Sequence, residues 1–394
     1  MRYFLTIGMI IFLGIVMLPN LRAQQLDIID IESVFDENIP LNLSEIATGI
    51  DYIPLELNDN CVLGDIYDIR MSGENIALIS DKEVYLFDIH GKFKRKIGQI
   101  GKGPGEYQWA KDIQFSSGGN SVFIMDITGF QIIEYDLNGK HLKSISLPVR
   151  QYPEDMLFFD DHFYIMHAMQ GLGQPFLYKM DNQGLLLQDM NVTCEAYQSS
   201  LSRYQESCGF CFQKDYFDLA TAWNDTIFRI HKHGKKEALN VINYGKFKYP
   251  LKGDKSSSRN QPMKEGVAFQ HWRAITQNYV FIHSQDGRDL KLVIYDRKSK
   301  AIIHSSNVRD DENGGIKNDL DAGPGINFIP SFQKNNGKDI IQCHSAISLI
   351  ENMNKKKSDR LNLKMKKESE NLKELVDQLS ENDNPIVQII HLKR

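Results

Sequence analysis

From residue 75 onward the chain alternates short apolar stretches with polar turns, and the arrangement recurs. Residues 75–98 (NIALISDKEVYLFDIHGKFKRKIG) and 120–147 (NSVFIMDITGFQIIEYDLNGKHLKSISL) share one layout. An apolar strand ends in Asp (Asp81, Asp126). A second strand runs into Asp-x-x-Gly-Lys (Asp88 to Lys92, Asp136 to Lys140), and a third leads away. Fainter copies occupy 163–188, 225–236 and 279–305, with Gly184 and Gly234 at the turn and Asp296 to Ser299 at the equivalent place. Asp bonds its own backbone two residues on, and Gly takes the positive φ of a tight hairpin, so each copy predicts two strands joined by a short turn. The turn glycines at 91, 139, 184 and 234 stand 48, 45 and 50 residues apart. An all-strand repeat of roughly 40–50 residues predicts propeller blades, each a four-stranded sheet that buries its faces only against its neighbours. The expected fold is all-β: a six-bladed β-propeller over residues 24–394. A β-sandwich with similar hairpins is the competing fold.

Two segments depart from the strand pattern. Residues 355–381 are rich in helix formers, and Leu361, Met365, Leu372, Leu375, Val376 and Leu379 fall near one helical face. A helical insertion is expected there, stopped at Asn382 to Pro385 and followed by a last strand, Ile386 to Leu392. A ring avoids a gap by building one blade from both chain ends. Segments 51–57, 339–350 and 386–392 are the candidates, at least one carboxyl-terminal segment joining the amino-terminal blade. The amino terminus has a basic start (Met1-Arg2), an apolar run from Tyr3 to Leu18, a break at Pro19-Asn20 and a small residue, Ala23. That is the layout of a secretory signal peptide over 1–23, with the mature chain beginning near Gln24. An uncleaved anchor is the alternative. No further long apolar stretch follows, so no transmembrane segment is expected in the mature chain.

Composition narrows the classes. Formal net charge is −5, which gives no reason to expect a nucleic-acid partner. The five cysteines are too few for a disulfide-built scaffold, and an odd count leaves at least one unpaired within the chain. Cys208 and Cys211 have C-x-x-C spacing without the strand–motif–helix context of a redox dithiol. A loop-stapling disulfide and inert thiols both remain open.

The turns and connections carry a resemblance. Leu43 to Ala47 with Asp51 to Glu56, Ile97-Gly98 through Gly103-Pro104-Gly105-Glu106-Tyr107, Asn224 to Ile230, Asp321 to Gly325, and Glu381 to Pro385 resemble motifs of bacterial exported six-bladed β-propellers, relatives of NHL-repeat propellers. The resemblance spans most of the mature chain. It implies a funnel-shaped propeller exported to the periplasm or cell surface of a Gram-negative bacterium, and it implies no particular activity. Many members carry a lipoprotein signal, whereas this chain has no cysteine near the end of its apolar run.

Candidate chemistry is sparse. Gly101 to Tyr107 reads as a blade-to-blade connection or as a turn offering N–H groups to an anion beside Lys102. It is not a phosphate loop, because no Gly-Lys-Ser/Thr follows. Tyr107, Trp109, Trp223 and Trp272 are candidate aromatic platforms, with blade packing as the competing reading of each. His231 and His233 share a strand face, and His162, His167, His271, His283 and His344 are scattered, but no spacing specifies a metal site or another cofactor. There is no Gly-x-Ser-x-Gly elbow, and the carboxylates Asp160-Asp161 and Asp310-Asp311-Glu312 look like turn residues. The expected function is an extracytoplasmic binding or scaffold module for a carbohydrate or a protein partner. The alternative is a metal-dependent lyase or hydrolase of the NHL type, with its site in the central channel.

Overall fold

A computed structural model describes residues 26–150, 152–167, 176–190, 209–221, 224–248, 269–286, 289–307, 316–321, 323–326, 337–355 and 366–394. The expected hairpins are present, and their sequence logic is visible. Asp88 Oδ1 accepts the N–H groups of His90 and Lys92, both at 2.9 Å. Asp136 does the same for Asn138 and Lys140, and Asp181 for Gln183 and Leu185. Gly91 lies at φ 83°. A Cβ there would also stand 2.1 Å from the Pro54 carbonyl oxygen, so Gly is needed both for its conformation and for close approach to the preceding blade.

These hairpins build six antiparallel sheets arranged as a propeller. Blade one is Ile66–Ser72, Asn75–Ser80, Glu83–Asp88 and Phe93–Ile97. Blade two is Ala110–Phe115, Ser121–Asp126, Gln131–Asp136 and His141–Ser146. Blade three is Pro153–Phe159, His162–His167, Phe176–Asp181 and Leu186–Asp189. Blade four is Gly209–Phe212, Tyr216–Thr221, Asn224–His231 and Lys236–Asn243. Blade five is Phe269–Ile275, Tyr279–Asp286, Asp289–Asp296 and Ala301–Asn307.

Blade six closes the ring with both ends of the chain. Ile386–Leu392 lies between Asp339–His344 and Ala47–Pro54, antiparallel to each, with Gln388 opposite Gln342 on one side and Tyr52 on the other. The core is divided accordingly: each of the six seams between neighbouring blades holds its own apolar cluster. Burial at every seam, including that between blades six and one, gives the ring its cohesion.

Two elements differ from the sequence expectation. The helical insertion begins earlier, as Ala346–Lys355, and resumes as Lys366–Gln378. Residues 346–350 therefore belong to a helix and not to a closing strand. Ala346, Leu349 and Met353 recur at helical spacing and bury against Leu372, Val376 and Ile386 of blade six. The second difference is a fifth strand on blade four. Asp27–Asp30 runs parallel to Lys236–Asn243, because Ile29 and Ile31 find apolar cover there. The segment 1–23 expected as a signal peptide lies outside the described residues. No helix among the described residues is long and apolar enough to cross a membrane.

Candidate binding site at the channel mouth

The innermost strands of the first four blades align on one four-residue segment. It reads Asp68-Ile69-Arg70-Met71, Asp112-Ile113-Gln114-Phe115, Asp155-Met156-Leu157-Phe158 and Gly209-Phe210-Cys211-Phe212. In blades one to three the register slips just before the Asp. Such a bulge re-aims a side chain that a regular ladder would not. Here it turns the carboxylate toward the next blade. Asp68 Oδ2 accepts the N–H of Ile113 at 3.2 Å, and Asp112 Oδ2 accepts that of Met156 at 2.6 Å. Arg70, 3% exposed, lies between the two acids: it donates to Asp68, and to Asp112 at 2.7 Å. One buried guanidinium is thus held between two buried carboxylates through its two terminal nitrogens, while its Nε has no hydrogen-bond partner among the described residues. In blade four, Gly stands at the Asp position, where an added Cβ would meet the Arg273 carbonyl oxygen at 2.5 Å.

The fourth residue of each segment is the one that matters at the surface. Met71, Phe115, Phe158 and Phe212 are all half-buried, each capping its interblade core at the end of the innermost strand. They line a cavity of about 820 Å³ at that mouth of the channel. Ser72 at the end of one of these strands and Ser116 and Ser117 just beyond another add hydroxyls. Blade six supplies the wall next to blade one through Ile341 and Ile389, with Asp51, Asp339 and His391 also lining the cavity.

His391 sits between the two rim acids. Its Nδ1 lies 3.2 Å from Asp339 and its Nε2 2.8 Å from Asp51. Asp339 above all, and then Asp51, raise its pKa to about 9 against the opposing effect of burial. At neutral pH it is an imidazolium that donates from both nitrogens, so it has no lone pair for a base or a metal ligand. Its partners join the three strands of the closing blade.

The residues expected from sequence fall elsewhere. Lys102 is exposed on the turn between blades one and two. The Gly103 N–H of that turn is taken at 2.7 Å by Glu106, whose carboxyl is held below its usual range chiefly by this bond. Tyr107 is a correction: it is 1% exposed, and its hydroxyl accepts the Val84 N–H and donates to the Ile97 carbonyl. Its ring belongs to the core between blades one and two and offers no face to a ligand. Trp109 is 44% exposed with the Lys82 ammonium 4.3 Å from its ring centre. It precedes the innermost strand of blade two, so it stands at the channel end opposite the cavity. Trp223 lies outside the described residues, as does the side chain of Trp272.

The remaining candidates are structural in their surroundings. His231 pairs with Glu237 at 3.0 Å on the outer hairpin of blade four, and His233 is exposed in its turn. Among the described residues no group of three or more His, Cys, Asp or Glu is arranged to hold a metal ion. Cys211 is a buried thiol pushed up to about 11 by burial, while Cys208 lies outside the described residues. Gly323-Pro324-Gly325 is sewn onto blade six: Gln342 donates to the Gly325 carbonyl at 2.6 Å and Gln388 to that of Pro324 at 2.7 Å. Beside it, burial raises the Asp321 carboxyl.

Sequence reasoning missed the cavity because it read the hairpin turns. The recurring Asp–apolar–x–Met/Phe segment, about one blade apart, was the available signal.

Comparison with known proteins bears on the fold. A family model described as "Domain of unknown function (DUF4934)" matches residues 26–391. A crystal structure of a Bacteroides fragilis protein presumed to be exported superposes with a TM-score of 0.68 at 15% identity, covering 93% of this chain and 99% of that one. A member of the DUF4221 family from Bacteroides vulgatus superposes at 0.50 with 9% identity, covering 88% and 97%. No curated protein matches the sequence.

Proposed function

The chain belongs to the DUF4934 family, and from that premise we propose that it is an exported binding module whose ligand seats in the cavity at the channel mouth. One observation carries the reading. Four successive blades place a half-buried apolar side chain at the same strand position, and together these line one concavity with hydroxyls at its edge. A concave, mostly apolar site with a few placed polar groups on a rigid scaffold is what small-ligand recognition uses, at volumes of about 300–1,000 Å³. Export is supported by the charged start, apolar run and Ala23, and places the module in the periplasm or at the cell surface.

Ser117 is exposed and lines the cavity, so Ser117→Trp fills the site without touching a core. Crystals soaked with mono- and disaccharides and with dipeptides should show a ligand between Phe115 and Phe158 in the native protein and none in the variant. Ligand found only at other surfaces sinks the reading. A protein partner is the second reading, favoured by the edge strand Asp27–Asp30, which leaves Leu26 41% and Ile28 63% exposed. Stoichiometric zinc or calcium in the protein as purified, with an activity lost on chelation, would instead favour the lyase or hydrolase alternative.

A further inference from the structure

Arg70, Asp51, Asp339 and His391 line the cavity and belong to two clusters of one cation and two carboxylates; Asp68 and Asp112, the partners of Arg70, are buried and do not line it. Arg70 lies between Asp68 and Asp112 on the blade-one side. On the blade-six side, His391 lies between Asp51 and Asp339. Each cluster sets one cation against two carboxylates, so each keeps a residual negative charge, and neither cation faces the cavity unopposed. Apart from these clusters, the polar groups that line the cavity beside the aromatic floor include the hydroxyls of Ser72, Ser116 and Ser117, the amide of Gln114 and the imidazole of His90, which lies beside the Asp88 carboxylate. The Gln114 amide is already donated at 3.3 Å to the Met156 carbonyl.

Resting on the reading that the ligand occupies this mouth, we propose that the ligand is a neutral saccharide and that acidic sugars are excluded. A sugar ring has an apolar C–H face and a hydroxyl edge. Phe115 and Phe158, from adjacent blades, offer rings for the face, and Ser116 and Ser117, on the turn beyond Phe115, offer partners for the edge. A uronate or sulfate would meet the residual negative charge of the Asp51–His391–Asp339 rim, and among the described lining residues Arg70, His391 and His90 each already face a carboxylate, which penalises the wrong ligand. A cationic ligand gains little either, because the exposed Asp51 and half-buried Asp339 already share the His391 imidazolium.

Calorimetric titration of the exported protein tests this with neutral trisaccharides of glucose, mannose, galactose and xylose, and with trigalacturonate as the acidic probe. At least one neutral trisaccharide should bind, its Kd rising tenfold or more in Ser117→Trp. Trigalacturonate should bind at least tenfold more weakly than the galactose trisaccharide. Three outcomes overturn the inference. If trigalacturonate binds as tightly as its neutral counterpart and Ser117→Trp blocks it, the mouth is the site but its ligand class is wrong. If a neutral sugar binds the variant undiminished, the site itself is wrong. If no saccharide binds while a dipeptide does, the class is wrong again.

Discussion

Asp112 joins three blades' worth of chemistry in one side chain. At 1% exposure it accepts the Met156 N–H of blade three and the Arg70 guanidinium of blade one. Removing it orphans the buried Met156 N–H and strips Arg70 of one of its two carboxylates, and a buried donor left without an acceptor costs about 1–3 kcal/mol. Asp112→Ala should therefore lose about that much in urea unfolding, and a loss under about 1 kcal/mol would show that the clamp is dispensable. His391 behaves differently because it is 38% exposed and water screens it. Its folded pKa of about 9 lies above the ordinary 6.5. Its stabilising contribution is therefore full below about pH 6.5 and is lost as pH rises through 9. The stability gap between the native protein and His391→Gln should shrink across that window. A gap that widens with pH would mean that the imidazole is neutral in the fold.

The Gly-Pro-Gly turn between blades one and two shows what an element adds beyond its residues. Gly105 has φ 74°, and a Cβ there would stand 2.6 Å from the His141 ring. The left-handed conformation alone costs an L-residue about 1–2 kcal/mol. Gly105→Ala should therefore destabilise by at least that amount, whereas Lys102→Ala, on the same turn but exposed, should stay within about 0.5 kcal/mol. Equal effects at the two positions would contradict a packing role for the turn. Its sequence announced a tight connection. Its use as a seat for Tyr107 and as an acceptor for the Tyr135 hydroxyl, 2.6 Å from the Gly105 carbonyl, depended on blade two folding against it.

At the scale of the whole molecule, the ring stands or falls with blade six. Ile386–Leu392 holds hydrogen-bonded partners on both sides, one from each end of the chain. A chain ending at residue 338 should lose cooperative unfolding throughout, since the seams of blade six with blades five and one are then both opened. A truncated protein that melts in calorimetry like the intact one would show that the remaining blades hold themselves together. The blade repeat, the hairpin turns and the joining of the two chain ends were legible in the sequence because they follow from local rules: alternation, turn chemistry and a period. The helix at Ala346–Lys355 was also written locally, at 346, 349 and 353, but a short apolar run fits strand and helix alike until its burial partners Leu372 and Val376 are known. The fate of the aromatic residues was not local at all. Tyr107 and Trp109 are two residues apart in similar sequence surroundings, yet one is in the core and the other is exposed. The channel-mouth cavity exists only because strands about one blade apart in sequence end side by side, and side chains distant along the chain meet only when the ring closes.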